Sequence, residues 1–314
     1  MTEVKEEVRQ FYDEVGWQLV GADVYQNARY EDLRPVSRQY IHDCHLRVAR
    51  HLRPQGRYLL DAGSGPVQYP EYLEYSRQYQ YRVCADISIT ALKEARRRLG
   101  EHGLYLVADI AHLPLKPQAF EGVVSLHTIH HLPEEDRMSA YSELFRVLAP
   151  DSTAVVVNGW SSSRLMNAFE PLMRLAYSIR HLLFRLSGRG PYLIDELEDG
   201  PASPGAGPGE VRGSTRQDGQ HSHPSRFARS KKAPKGTFTN KHDADWVKTE
   251  LGALMPVEVL VWRSVTVRFM RALIHPQLGG RFWLRLLYRL EERYPHYFGE
   301  NGKYPLIVIR KEKV

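Results

Sequence analysis

Short apolar runs alternate with amphipathic helical segments along the first half of the chain. The runs have the length of strands and are bounded by turn residues; they lie at Tyr58–Leu60, Tyr81–Ala85, Leu104–Ala108, Gly122–Leu126 and Thr153–Val157. Between them, Ser88 is placed to cap a helix that stops at Gly100, and Pro133 precedes three acidic residues that suit a helix start. This alternation predicts a parallel sheet with helices on both faces.

Two later apolar runs, Pro256–Trp262 and Pro305–Arg310, are predicted as the sixth and seventh strands of the same sheet. Amphipathic helices are predicted at Arg164–Ser187 and Arg281–Tyr294, each with a wide apolar face and a narrow basic stripe. The predicted fold is therefore α/β, with a doubly wound, seven-stranded, mostly parallel sheet and helical lid elements. Shallow contact of the two helices with a membrane surface or a lipid-like acceptor is the alternative to a lid.

The composition is that of an ordinary globular protein. Of the 314 residues, 42% are hydrophobic and 25% are charged, which is enough to bury a full core. Cys44 and Cys84 lie far apart without CxxC or Cys/His spacing, which argues against a disulfide scaffold or a structural zinc site and favours a reducing, cytoplasmic setting. The sequence has no secretory signal pattern and no apolar run of about 18 residues, so no membrane-spanning helix is predicted.

The net charge of +6 is scattered, but part of it lies in one unusual segment. Asp199–Gly236 is dense in Gly, Pro and Ser and carries seven Lys/Arg against three Asp/Glu, so we predict a disordered basic insert. Contact of this insert with RNA, anionic lipid or an acidic partner is open, as is a purely solubilising role. The predicted division of the chain is a helical cap (1–50), the doubly wound core (51–160), an amphipathic helical insert (161–198), the disordered linker (199–236) and a C-terminal part completing the sheet (237–314).

Acidic residues recur where the predicted strands end. Asp61, Asp86 and Asp109 follow the first three strands, 25 and then 23 residues apart. In a doubly wound sheet the ligand crevice lies outside the carboxyl ends of the strands. Each aspartate alone could simply cap the following helix, but three in series are less well explained in that way.

The strand-end motifs DAGSG, VCADIS, VADIAHLPL and GVVSLHTIHHLP resemble those of class I S-adenosylmethionine-dependent methyltransferases, in particular the type 11 subgroup with the ubiquinone/menaquinone C-methylating enzymes. The resemblance covers roughly residues 55 to 160. It implies a Rossmann-like fold, S-adenosylmethionine as the cofactor and a set of donor-binding residues. These are Asp61, Gly63, Ser64, Gly65, Asp86, Ile87, Asp109, Ile110 and Ser125.

The resemblance also implies roles for these residues. Gly63 and Gly65 would let the backbone turn beneath the donor, because neither has a Cβ to obstruct it. Asp86 would accept hydrogen bonds from the ribose hydroxyls, and Asp109 from the adenine amino group. Asp61 would help to position the amino-acid part of the donor.

The sequence departs from the family pattern at two places. Pro66-Val67 stands where a third small residue is common, so the following helix is expected to start late and Tyr69 to project into the pocket. Asp151-Ser152 stands where a Gly pair is usual. The missing third glycine also disfavours the competing interpretation, a nicotinamide-dependent dehydrogenase with a G-x-G-x-x-G turn.

Three histidines, His127, His130 and His131, follow the fourth strand, where the acceptor approaches in this family. We predict that one of them is a catalytic base or contacts the acceptor. Bonds to backbone or solvent are the alternative, and a metal cluster is disfavoured because no acidic ligand is adjacent. Aromatic residues of the N-terminal cap and two residues after the insert are further candidates to line the pocket; they are Tyr12, Trp17, Tyr25, Phe238 and His242.

The predicted function is methyl transfer to a small, apolar or amphipathic molecule. One alternative is a methyltransferase that acts on RNA or protein through the basic insert, and another is a donor-binding module without catalysis. The chain has no Asp/Asn-Pro-Pro-Tyr motif after the fourth strand and no cysteine positioned as a nucleophile, so DNA is disfavoured and not predicted as an acceptor. RNA is the less favoured alternative to a small molecule. The oligomeric state is left open.

Overall fold

The computed structural model describes residues 3–17, 19–21, 24–25, 31–186, 238–239 and 241–313. The helices are α1 (Glu3–Phe11), α2 (Arg38–Leu46), α3 (Pro70–Glu74), α4 (Ile89–Leu99), α5 (Glu134–Val147), α6 (Arg164–Leu186), α7 (Ala244–Trp246), α8 (Val267–Leu273), α9 (Gly280–Arg293) and α10 (Pro295–Asn301). The strands are β1 (Leu19–Gly21), β2 (Val24–Tyr25), β3 (Gly56–Ala62), β4 (Tyr79–Asp86), β5 (Gly103–Val107), β6 (Phe120–Leu126), β7 (Leu148–Val157), β8 (Val257–Arg263) and β9 (Tyr304–Lys311).

Seven strands form one sheet in the order β5-β4-β3-β6-β7-β9-β8, and β1 and β2 pair separately. The pairs β3/β4, β3/β6, β4/β5 and β6/β7 are parallel, and β9 is antiparallel to both of its neighbours. The predicted seven-stranded, mostly parallel sheet is thereby confirmed. The carboxyl ends of β3 to β8 meet at one edge of the sheet, together with the start of β9, and strand order reverses between β3 and β6.

Successive residues of the central strands point to opposite faces of the sheet, and both faces are buried. Leu60, Val123 and Val156 lie in one core cluster with helix α5, while their neighbours Leu59 and Val124 lie in a second cluster on the other face. This arrangement explains why the strands read as continuous apolar runs rather than as an alternating pattern.

A third cluster lies beside the sheet and is built from α2, α6, α8 and α9. Met173 of α6 packs there with Met270 of α8 and Leu284 of α9. The two predicted amphipathic helices therefore bury one face each in a helical subassembly, with bounds within one residue of those predicted where the structure describes them.

The predicted local signals are largely confirmed, and the differences are at strand and helix ends. The Ser88 hydroxyl accepts a hydrogen bond from the Ala91 amide at 3.0 Å, and α4 ends at Gly100, whose φ is 53°. Strand β7 begins at Leu148 rather than Thr153, because Leu148 already pairs with Phe120; the register then shifts before Thr153 pairs with Gly122, and Asp151 between them is left-handed (φ 55°).

Some predictions lie outside the described residues. They concern the basic insert at 199–236 and the side chain of Tyr25. The proposed division of the chain into segments stays a prediction. Within the described part of the chain, no helix has both the length and the apolar character required to cross a bilayer.

Candidate active site

A cavity of about 770 Å³ lies at the carboxyl edge of the sheet, beneath α1. Most residues predicted for the donor and the acceptor line it. They are Asp61, Gly63, Ser64, Gly65, Asp86, Ile87, Asp109, Ile110, His127, His130 and His131. Ser125 is the exception, because its side chain is fully buried inside β6 and is not part of the lining.

The glycine turn after β3 is packed too closely for a side chain at either glycine. Gly63 has φ 74°, and a Cβ there would lie 2.1 Å from the Thr128 side chain. Gly65 has φ 51°, and a Cβ there would approach the Trp17 ring to 3.0 Å. Both positions therefore require glycine for conformation and for space.

After the glycine turn the helix starts late, as Pro66-Val67 in the sequence predicts. Val67 is buried in a left-handed conformation with φ 53°, and helix α3 starts only at Pro70. A β-branched residue rarely adopts this conformation, so the packing around Val67 must hold it there. The delay leaves room for Tyr69, which lines the cavity as expected.

Asp86 stands at the end of β4 and binds the glycine turn. One carboxylate oxygen accepts a hydrogen bond from the Gly65 amide at 2.9 Å, and the other from the Ser88 amide at 2.8 Å. Burial raises the pKa of Asp86 to about 6, because these two hydrogen bonds do not offset desolvation and the nearby carboxylates of Asp61 and Asp13. Its carboxylate is thus held in place and faces the cavity.

The other two strand-end aspartates each have a cationic partner. Asp61 is buried and receives two hydrogen bonds from the guanidinium of Arg82 on β4. Asp109 receives a hydrogen bond from Lys5 of α1, which also pairs with Asp136 at 2.6 Å. Burial opposes ionisation of Asp109, but the hydrogen bonds from Lys5 and the Ala111 amide, together with the charge of Lys5, outweigh it and lower the pKa of Asp109. Lys5 therefore fastens α1 across this end of the cavity.

His131 is engaged at both ring nitrogens. The Phe238 carbonyl lies 2.8 Å from Nδ1, and the Tyr12 hydroxyl lies 2.9 Å from Nε2. Because a carbonyl can only accept, Nδ1 donates and Nε2 accepts from Tyr12. Burial lowers the pKa of His131 to about 4, so the ring is neutral at pH 7. This histidine ties the N-terminal cap and the segment after the insert to the core.

His130 donates from Nδ1 to the Asn158 side-chain oxygen at 3.2 Å, and burial lowers its pKa well below the usual value. The Asn158 amide nitrogen in turn donates to the Tyr141 hydroxyl, which fixes the orientation of the amide. Nε2 of His130 is therefore the nitrogen that carries the lone pair.

His127 differs from its two neighbours. Its backbone is left-handed, with φ 56°, and its side chain makes no hydrogen bond to a described residue. The ring packs edge-on against Trp262 and Tyr304, with centroids 5.0 and 5.9 Å apart. Burial lowers the pKa of His127 to about 3. A neutral imidazole in a strained backbone conformation thus lines the cavity.

Beyond the histidines the cavity carries charged groups that the sequence analysis missed. Arg263 ends β8 and forms a buried ion pair with Glu31 from the loop before α2. Although burial alone would raise the pKa of Glu31, Arg263 and His45 together hold it at about 2. Lys241 and Tyr304 complete this end of the lining. We call it the acceptor end, with Glu31, Lys241 and Arg263 as its charged members.

A signal for Arg263 was present in the sequence. Arg263 directly follows the apolar run Pro256–Trp262, which the sequence predicts as a strand and which forms β8. The rule that ligands bind at strand ends, which pointed to the aspartates, applies equally to this run. Glu31 had no such signal, because its ion pair with Arg263 joins positions 232 residues apart.

Other predicted lining residues divide into two groups. Tyr12 and Trp17 line the cavity as expected. Phe238 contributes its carbonyl to His131, whereas His242 stacks on Trp246 with ring centroids 3.6 Å apart and lies outside the lining. None of the described residues of α6 or α9 lines the cavity. The apolar faces of those helices therefore do not shape the site.

Comparison with known proteins identifies the domain in which this site lies. The type 11 methyltransferase family model, described as a methyltransferase domain, matches residues 60–156. The Mus musculus protein described as probable tRNA methyltransferase 9B is 29% identical over 203 residues, which are 62% of this chain and 44% of the mouse protein. The chain thus spans less than half the length of this curated relative.

Two solved structures resemble the fold across nearly the whole chain. Geranyl diphosphate C-methyltransferase from Streptomyces coelicolor, solved with Mg²⁺, geranyl diphosphate and S-adenosyl-L-homocysteine, has a TM-score of 0.50 at 12% identity and covers 99% of this chain and 98% of its own. Phosphoethanolamine N-methyltransferase 2 from Haemonchus contortus, solved with S-adenosyl-L-methionine, has a TM-score of 0.49 at 13% identity and covers 100% and 61%. At these identities the likeness concerns the fold.

Proposed function

We propose that this chain, whose residues 60–156 match the type 11 methyltransferase domain model, is an S-adenosylmethionine-dependent methyltransferase that methylates a small acceptor carrying a negative charge. The observation behind the proposal is the composition of the acceptor end, whose lining holds two cationic side chains, Arg263 and Lys241, and one carboxylate, Glu31. A cavity of about 770 Å³ lies within the range of small-molecule sites and must hold the donor as well.

The residues at the other end of the cavity fit S-adenosylmethionine. The turn at Gly63 and Gly65 lines the cavity with backbone that no side chain covers, and the Asp86 carboxylate offers acceptors for ribose hydroxyls. Asp109 and Ile110 are a hydrogen-bond acceptor and an apolar surface for the adenine ring. When bound, S-adenosylmethionine supplies a methyl group on a sulfonium centre that is open to in-line displacement.

The residues of the chain then contribute mainly alignment and exclusion of water. Arg263 and Lys241 hold the acceptor anion, and Tyr12 with α1 covers the donor end. His127, whose ring nitrogens bond to no described residue, orients the acceptor as a neutral hydrogen-bonding group. Because the pKa of His127 lies near 3, it is a poor proton acceptor at pH 7. An acceptor whose attacking atom carries no proton, such as a carboxylate oxygen, suits this site best.

RNA is the second candidate acceptor, and one observation favours it. The mouse relative, 29% identical over 203 residues, is described as a probable tRNA methyltransferase. The basic insert at 199–236 offers charge for such a partner. A nucleotide of RNA would bind at the same acceptor end as a small molecule. The two candidates therefore differ in whether the methylated group belongs to a small molecule or to a polynucleotide.

Labelling separates these acceptors. The enzyme is incubated with methyl-labelled S-adenosylmethionine and either the low-molecular-mass fraction of a cell extract or purified total tRNA. We expect label in small molecules whose unmethylated forms bind an anion-exchange resin, each gaining the mass of one methylene group. A variant that lacks residues 199–236 should retain this activity. Label in tRNA alone, lost on deleting the insert, would instead establish the RNA-directed function.

A further inference from the structure

Helix α9 presents a large apolar surface to solvent. Phe282 and Trp283 expose 57% and 54% of their surface, and Leu286 and Leu290 on the same side expose 37% and 40%. The opposite side of the helix packs through Leu284 against the third core cluster. Exposed aromatic and aliphatic side chains grouped in this way mark an interaction surface more often than chance exposure does.

A row of arginines runs beside this apolar surface. Arg281, Arg285, Arg289 and Arg293 are four residues apart, so they lie along one side of the helix, and all are exposed. None of them forms an ion pair with a described residue. In contrast, Arg174 on α6 pairs with Glu170, and Arg310 on β9 pairs with Glu258.

The two acidic residues of α9, Glu291 and Glu292, do not neutralise the positive charge of the arginine row. Glu291 is fully buried and accepts hydrogen bonds from Tyr40 and Ser264. Glu292 pairs with Arg47 and Arg50 of the chain before β3. The outer side of α9 is therefore positively charged along its length.

A groove opens at the start of this helix. Its volume is about 580 Å³, and its lining combines Arg281 and Arg285 with Phe282 and Pro276. Guanidinium groups above an apolar floor suit an anionic headgroup with attached hydrocarbon. Leu278, at the rim of α9, exposes 68% of its surface and extends the apolar area.

We propose that α9 is a membrane-binding surface that docks on an anionic lipid bilayer. Phe282, Trp283, Leu286 and Leu290 enter the interface, and the arginine row lies at the level of the headgroups. A helix with aromatic and leucine side chains on one face and a basic polar face lies in the bilayer plane in this manner. Nucleic acid would also attract the arginines, but it gives no reason for four adjacent exposed apolar side chains, so the bilayer is the better fit.

The experiment is co-sedimentation of the full chain with vesicles of phosphatidylcholine, with and without phosphatidylglycerol. We expect binding only when the anionic lipid is present, and weaker binding as salt is raised. The triple variant Arg281→Glu, Arg285→Glu, Arg289→Glu should bind at least about a hundredfold more weakly. The matched control Arg57→Glu, Arg77→Glu, Arg97→Glu removes the same charge from other exposed positions and should bind almost as the wild type does.

The apolar part of the surface needs its own variant. Phe282→Ser with Trp283→Ser should remain folded, because both side chains are already exposed, and should lose vesicle binding. Failure of the wild type to bind anionic vesicles would overturn the proposal, as would equal loss in the control triple variant. Binding of tRNA by the wild type, lost in the α9 triple variant without any vesicle binding, would reassign the surface to nucleic acid.

Discussion

Replacing Arg82 with leucine is expected to lower the free energy of unfolding by about 3–5 kcal/mol at pH 7. Arg82 is fully buried, and its guanidinium donates to the Asp61 carboxylate and to the Tyr72 carbonyl. Without it, the Asp61 carboxylate is left buried and unpaired, which costs much more than the loss of one hydrogen bond. Denaturation by urea, followed by circular dichroism, measures the change.

Two companion variants isolate the cause. Arg97 pairs with Glu94 on the surface of α4 and is 73% exposed, so Arg97→Leu should change stability by less than about 1 kcal/mol. The double variant Asp61→Leu, Arg82→Leu removes both charges and should recover part of the loss, because no unpaired buried charge remains. A change below about 1 kcal/mol for Arg82→Leu would contradict the role given to this ion pair.

Replacing Asp86 with alanine is expected to weaken binding of S-adenosylhomocysteine by about tenfold to a hundredfold, because a hydrogen bond to a charged group contributes about 1.5–3 kcal/mol. Calorimetric titration measures the affinity. Glu94→Ala, which removes a surface carboxylate from the following helix, serves as the control and should bind normally. Wild-type affinity in Asp86→Ala would exclude this carboxylate as the ribose ligand.

The same carboxylate predicts a pH dependence. Its pKa is raised to about 6, and ribose hydroxyls donate to the ionised form, so wild-type affinity should be full well above pH 6, fall by up to about tenfold per pH unit below it, and level off at the affinity of Asp86→Asn. The raised pKa also means that the folded state binds an extra proton between about pH 4 and pH 6, so this group contributes less stability as pH rises through that window. In Asp86→Asn the affinity should stay low and constant across the range.

The donor end could be predicted from the sequence, because its signals are local. Asp86 and Asp109 each end an apolar run, and Gly63 and Gly65 occupy a turn directly after another. Strand ends of a parallel sheet meet at one edge, so position along the chain was sufficient to bring these residues together.

The acceptor end could not be predicted in the same way. Glu31 and Lys241 lie outside the sheet; Glu31 reaches Arg263, and Lys241 reaches the cavity, only through the packing of distant segments. The left-handed conformation at Val67 likewise goes against the preference of a β-branched residue, so only the surrounding structure determines it.

The prediction of an apolar acceptor was based on the apolar faces of α6 and α9. None of the described residues of these two helices lines the cavity. The acceptor is therefore inferred from the polar residues that line the cavity. The apolar surface of α9 is assigned separately to membrane binding. Of the three histidines predicted to contact the acceptor, His131 already has a hydrogen-bond partner at each ring nitrogen. The side chain of His127 bonds to no described residue, so we favour His127 for this contact.

A crystal structure of the protein with S-adenosylhomocysteine tests the central claim most directly. We expect the ribose hydroxyls at Asp86, the adenine ring beside Asp109 and Ile110, and the sulfur directed toward His127 and the acceptor end. A ligand bound outside this cavity, or one whose sulfur points away from His127 and Arg263, would contradict the proposed donor site and the acceptor end built on it.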